Sequence, residues 1–112
     1  MTETDIQNQI RAALSDYGIV LRLNVGEFLT KDGRYITSGL PPGTPDLLFI
    51  GPGRIAFIEV KRPEGRASKA QINFIHTIQQ LGHRAGIAHS VGEALEIIGA
   101  DASPYPNPAP IV

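Results

Sequence analysis

Three residues near the middle of the chain have the types and spacing that hydrolytic chemistry needs. Asp46 follows the loop Ser38-Gly39-Leu40-Pro41-Pro42-Gly43-Thr44-Pro45 and opens an apolar run, Leu47-Leu48-Phe49-Ile50. Glu59 and Lys61 lie two apart in a second such run, Ile55-Ala56-Phe57-Ile58-Glu59-Val60-Lys61. Residues two apart on a strand share a face, so Glu59 and Lys61 project together while Val60 points to the opposite side. The turn Gly51-Pro52-Gly53-Arg54 joins the two runs, and so short a link makes them antiparallel neighbours. The start of one strand then meets the end of the other. Asp46 and Glu59 converge, with Lys61 beside them. Two close carboxylates repel, and burying them is costly unless a cation sits between them. A hard divalent ion such as Mg²⁺ suits oxygen ligands, polarises a phosphate and supplies an activated water at neutral pH. Lys61 would orient or deprotonate that water, or offset charge on the phosphorus. The plainer reading makes Glu59 and Lys61 a surface ion pair on an edge strand, but the apolar residues around them favour a functional site.

These residues need a scaffold, and the flanking sequence supplies its parts. Thr2-Glu3-Thr4-Asp5 is a helix start, followed by Ile6, Ile10, Ala13, Leu14 and Tyr17 at helical spacing and by Gly18 as a stop. From Ile19 the period becomes two, with Ile19, Leu21, Leu23 and Val25 on one face of a strand. Asp32-Gly33 marks a hairpin turn between Phe28-Leu29-Thr30 and Tyr35-Ile36. The three prolines of the 38–45 stretch forbid a helix or a central strand there. Ser68 caps a second helix that turns Ile72, Ile75, Ile78 and Leu81 toward the core, and Arg84 to His89 is a further strand, apolar enough to be internal. Ser90-Val91-Gly92-Glu93 opens a short last helix with Leu95 and Ile98. The order αβββ(β)αβα describes a mixed α/β domain, one curved sheet flanked by helices. It spans residues 1–100. The segment 101–112, with Pro104, Pro106, Pro108 and Pro110, is expected to be extended or loosely packed.

Composition narrows the field. At 112 residues the chain makes one domain, with 42% hydrophobic and 19% charged residues. Without cysteine it has neither a disulfide framework nor a thiolate metal site, so any metal must be held by oxygen or imidazole. No apolar run reaches the length of a membrane span, and the acidic, polar start is unlike a secretory signal, so an intracellular, cytoplasmic location is expected. A net charge of −1 argues against bulk electrostatic coating of nucleic acid. Between Arg54 and Arg84, however, six basic residues (Arg54, Lys61, Arg62, Arg66, Lys69, Arg84) face two acidic ones (Glu59, Glu64). Alone, that excess is read as a solvated charged face. His76, His83 and His89 lack metal-ligand spacing and read as solvated or satisfied core histidines. Gly51-x-Gly53 precedes a strand rather than a helix, so it is not a phosphate-binding loop.

Pro45-Asp46 with Glu59-Val60-Lys61 on the next strand resembles the PD-(D/E)XK nuclease superfamily. More narrowly, the run from Gly43 to Gln71, GTPDLLFIGPGRIAFIEVKRPEGRASKAQ, is similar to its VRR-NUC family. The similarity extends over most of residues 3–98. It implies a restriction-endonuclease-like fold with an αβββαβ core, dependence on Mg²⁺ or Mn²⁺, and hydrolysis of DNA, often at flaps, Holliday junctions or other branches. The family pattern puts metal ligands at Asp46, Glu59 and the Val60 carbonyl, a catalytic lysine at Lys61 and a glutamine beside the site at Gln71. It also includes a first-helix acid, matched best by Glu3, with Asp5 as a rival; a helix-dipole role suits either equally well. With Lys61 catalytic, phosphate contact becomes the preferred reading for at least one of Arg62, Arg66 and Lys69. With no DNA-recognition domain in these residues, the expectation is structure-selective cutting. The rival function is a binding module that keeps the fold without catalysis; a third reading is an interaction domain using its proline-rich tail. Apolar residues around Phe28, Leu29, Tyr35 and Ile36, unpartnered in the sequence, point to a homodimer through the 28–40 region. The alternative is that this hairpin folds over its own sheet.

Overall fold

The computed structural model describes residues 1–23, 27–37 and 39–100, without the side chains of Glu27 and Phe28. Val25 of the expected first strand, Ser38 of the loop and the proline-rich 101–112 segment lie outside the described residues. The elements run α1 (Glu3–Leu14), β1 (Ile19–Arg22), β2 (Glu27–Leu29), β3 (Tyr35–Thr37), β4 (Leu47–Gly51), β5 (Arg54–Val60), α2 (Lys69–Gln80), β6 (Arg84–Ala88) and α3 (Val91–Ile98). Each helix begins where the capping chemistry sits. Thr2 and Asp5 close a capping box on α1, Ser68 and Gln71 close one on α2, and the Ser90 hydroxyl accepts from Glu93 N–H on α3.

Four strands form a mixed sheet in the order β1-β4-β5-β6. β4 is antiparallel to both β1 and β5, whereas β5 and β6 are parallel. A parallel pair needs a crossover, and α2 is that crossover. α1 and α3 cover one face. There Ile6, Ile10 and Leu14 pack with Leu47, Phe49, Ile58, Val60, Ala94 and Ile98 in the main core. α2 covers the other face over β5 and β6 only, burying Ile75, Ile78 and Ala85 against Phe57, Phe74 and Ile87. Among the described residues, no helix is long and apolar enough to cross a membrane.

On β1, Ile19 and Leu21 share a face, as the period of two requires; it is the exposed one, on the side that α2 does not reach, while Val20 packs on the core. Three expectations are revised. On α2 the inward residues are Ile75 and Ile78; Ile72 is 40% exposed and Leu81 is 70% exposed, because the helix rests on a sheet edge and buries a narrow stripe. β6 is an edge strand rather than an internal one. Its apolar character comes from having α2 on one face and α3 on the other. Finally, β2 and β3 pair with each other as a separate two-stranded sheet instead of joining the main one.

The stripe on α2 can be checked by substitution. Ile75→Ala should cost about 2–5 kcal/mol in chemical denaturation. Ile72→Ala, at the exposed position, should cost less than about 1 kcal/mol. Equal losses would show that α2 is rotated from this seating.

Candidate active site

The β4–β5 register fixes the site. Leu47 lies opposite Ile58, so one step further Asp46 lies opposite Glu59, on the face away from the main core. At that separation the Asp46 charge acts directly on Glu59. Asp46 is tied down from two sides. Its Oδ2 accepts from the Val60 backbone N–H at 2.9 Å, and its own carbonyl accepts from Leu23 N–H at 2.7 Å. A strand residue sends its N–H and C=O toward the same edge, so the Val60 carbonyl also faces the Asp46 side. Lys61 follows β5, and its N–H continues the parallel ladder to the Ala88 carbonyl at 3.0 Å.

Glu59 is the most constrained group in the molecule. Its side chain is 2% exposed, yet it is ionisable. Lys61 Nζ lies 3.3 Å from Oε2, and Gln71 Nε2 donates to the same oxygen at 3.0 Å. Oε1 is buried with no hydrogen-bond partner among the described residues. Burial first, and then the Asp46 charge, push the Glu59 carboxyl up to about 7, while Lys61 pulls it back. A buried carboxyl oxygen left without a donor, facing a second carboxylate, is what a divalent cation would satisfy. Asp46, Glu59 and the Val60 carbonyl therefore fit a hard metal ion. Among the described residues, no group of three Asp, Glu, His or Cys side chains gathers anywhere, so a cation here would take its remaining ligands from backbone, water or substrate.

Gln71 does two jobs with one amide. Its Oε1 accepts from Ser68 N–H at 2.8 Å and closes the α2 capping box, while its Nε2 holds Glu59. Glutamate would keep the cap but set a carboxylate against Glu59; only the amide serves both ends. The helix bearing Gln71 is seated by Phe74 against Phe57, ring centroids 6.3 Å apart, and by Gln79 donating to the Ala85 carbonyl at 2.9 Å. The proline-glycine loop completes the clamp. Gly43 has φ +91°, and a Cβ there would lie 2.4 Å from the Ala70 carbonyl oxygen and 3.1 Å from Gln71 N. That contact was missed in the sequence, where Gly43 read only as loop; its signal was a glycine fixed between two prolines and the buried Thr44.

The other sequence candidates fall into three groups. Glu3 opens α1, partly exposed, and is not gathered with Asp46 and Glu59 into a metal-binding group. Its rival Asp5 accepts from Thr2 N–H at 2.9 Å, a bond that holds its carboxyl below the usual range and accounts for the residue structurally. Arg62 and Arg66 are exposed on the loop after Lys61, and Lys69 is exposed at the start of α2, so all three border the site. Arg62 Nε lies 3.2 Å from Glu64 Oε1, a solvent-facing pair worth little. His89, half-buried rather than in the core, lies with Nδ1 2.7 Å from Glu93 Oε1, which also accepts its backbone N–H.

The Glu59 environment has a pH signature. A carboxyl whose folded value is raised from 4.5 to about 7 binds its proton more tightly folded than unfolded. Its contribution to stability is present below 4.5 and is lost as the pH rises through about 7. In chelator, the melting temperature should fall across that window, and Glu59→Gln, with no proton to lose, should flatten the slope. Identical slopes for the two proteins would contradict the assignment.

Comparisons with known proteins identify the family and the fold. The sequence profile of the VRR-NUC domain matches residues 1–92. A solved structure described as a VRR_NUC domain aligns over 87% of this chain and 94% of its own, at 24% identity and a TM-score of 0.61, a likeness that speaks for the fold. A search of curated proteins gave no match. The profile runs from the capping box of α1 to the first turn of α3, through every residue of the candidate site, and on that match the chain belongs to the VRR-NUC family and has its nuclease-type fold.

Proposed function

We propose that this protein is a metal-dependent endonuclease that hydrolyses DNA phosphodiester bonds, with a preference for branched structures such as Holliday junctions and flaps. The observation that carries the reading is the buried Glu59 carboxylate, one oxygen without a partner among the described residues, opposite Asp46 and paired with Lys61. Asp46, Glu59 and the Val60 carbonyl would hold the cation, Mg²⁺ or Mn²⁺. When bound, such an ion polarises a phosphate oxygen and makes a coordinated water nucleophilic near neutral pH. Lys61 sits at the rim of the same carboxylate, where its ammonium orients the attacking water and offsets charge building on the phosphate. Gln71 keeps Glu59 in one rotamer, so the ligand oxygen is pre-aimed rather than ordered at each turnover. Arg62, Arg66 and Lys69 border the site and contact the DNA backbone. Phosphate contacts position a duplex without reading its sequence, which favours selection by DNA shape.

Asp46→Asn and Lys61→Ala should each abolish cleavage in Mg²⁺ or Mn²⁺ while keeping the circular dichroism spectrum of the folded protein. Duplex, flap, splayed and four-way DNA are the substrates to compare. Turnover by either variant at the unsubstituted rate removes the catalytic assignment. Binding of branched DNA without cleavage by the unsubstituted protein would instead make it a nucleic-acid-binding module.

The paired cuts that resolve a four-way junction call for two sites at a fixed separation, and the β2–β3 hairpin offers the means. It stands as its own sheet, with Leu29, Tyr35 and Ile36 exposed. A two-fold dimer would bury these side chains. Light scattering at low micromolar concentration should give twice the 12.0 kDa of one chain. Ile36→Asp should return the monomer mass. A mass of 12.0 kDa for the unsubstituted protein rules out the dimer and the symmetric nicks with it.

A further inference from the structure

At the end of the sheet remote from Asp46, two clefts of opposite character meet. α3 stops at Gly99, where a left-handed backbone (φ 73°) lets the Ala100 N–H return to the Leu95 carbonyl. Arg54 Nη1 donates to the Ile98 and Gly99 carbonyls at 2.8 and 2.9 Å, and Arg84 Nη1 donates to that of Ile97 at 3.3 Å. A Cβ on Gly99 would lie 2.7 Å from Arg54 Nη1 and 2.9 Å from Arg84 Cζ. The chain therefore leaves α3 against two guanidinium groups. These same arginines, with His83 and Gly82, line a cleft of about 420 Å³. A second cleft of about 420 Å³ begins at Leu81, the residue before Gly82, and follows α2 past Thr77 and Phe74 to Ala70 and Pro42. The first is basic and the second is mainly apolar, and the consecutive residues Leu81 and Gly82 line one each.

The sequence after Ala100 has the same order of chemistry. Asp101 comes first, and the eleven residues that follow it, ASPYPNPAPIV, carry no charge and include four prolines. Proline fixes φ near the polyproline value, so such a segment loses little freedom when it lies in an apolar groove beside an aromatic ring. Length is sufficient. Twelve residues at about 3.1 Å each reach roughly 37 Å. A 12-residue helix such as α2 is about 18 Å long.

We propose that residues 101–112 dock on their own chain along these two clefts, Asp101 against Arg54 and Arg84 and the proline run beside α2 from Leu81 toward Pro42. Docking there covers the exposed Leu81 and braces the helix that carries Gln71. Two features select this occupant: its one acidic residue, Asp101, follows directly on the helix end that Arg54 and Arg84 hold, and the segment therefore starts at the mouth of the path. The inference does not depend on the catalytic reading, since Asp46, Glu59, Lys61 and Gln71 line neither cleft.

The chain has no cysteine, so Asn107→Cys accepts a single nitroxide label on the intact protein. With isotopically enriched, labelled protein, the amides of Asn73, Thr77 and Leu81 should lose intensity, and those of β3 should not. Leu81→Asp, at a position already 70% exposed, should abolish that loss without unfolding the domain. Asp101→Arg should weaken it. Undiminished α2 amides, or a loss spread evenly over the surface, would overturn the proposal. So would a loss seen only when enriched, unlabelled chains are mixed with labelled ones, since the segment would then lie on a second copy.

Discussion

Taking a carboxylate out of water costs several kcal/mol unless its charge and lone pairs are met, and Glu59 is taken out of water on a central strand. Lys61 and Gln71 meet one of its oxygens; the other is buried without a donor among the described residues. The strand cannot simply turn the side chain outward, because Ile58 and Val60 on either side hold its alternate face in the main core. Slipping the register by one would expose both. The apolar alternation of β5 therefore enforces the burial of Glu59, and the remainder of the site is arranged around that enforced charge.

Each neighbour is held by something other than Glu59. Asp46 is pinned by the Val60 amide and by the Leu23 amide, so repulsion from Glu59 cannot swing it away freely. Gln71 is held by its helix cap, the helix by Phe74 and Gln79, and the cap by the close passage of Gly43. Two carboxylates kept close by independent restraints repel each other, a repulsion that a bound cation would relieve. Stability is given up locally at a functional position and recovered from the core on the far face of the sheet.

How much of this was legible in the sequence differs with the kind of signal. The period-two pattern of 55–61 placed Glu59 and Lys61 on one face and Val60 on the other, and the four-residue turn brought Asp46 across; both depend on local geometry alone. Caps at Thr2, Ser68 and Ser90 were legible for the same reason. The inward face of β1 was not. Ile19 and Leu21 are the larger side chains, but which face is covered depends on where α2 lands, a tertiary fact that a single strand does not encode. β6 looked internal because two helices shield it, and shielding by helices leaves the same apolar signature as flanking strands. The double use of Gln71 was invisible as well: a capping-box glutamine has an ordinary appearance until the strand beneath its second amide atom is known.

The two faces of the sheet divide the labour of the fold. One is closed by α1 and α3 and supplies the contiguous core. The other is covered only over β5 and β6, leaving Ile19, Leu21 and Ile50 in the open on the same side as Asp46, Glu59 and Lys61. A fully covered second face would bury more apolar surface and stabilise the monomer further. It would also close the approach to the carboxylates, which project from that face at the strand ends. Half-coverage keeps α2 near enough to fix Glu59 while leaving β1 and β4 open beside it among the described residues. The exposed apolar residues on β1 and β4 follow from that opening: they lie on the part of the sheet that no described helix covers.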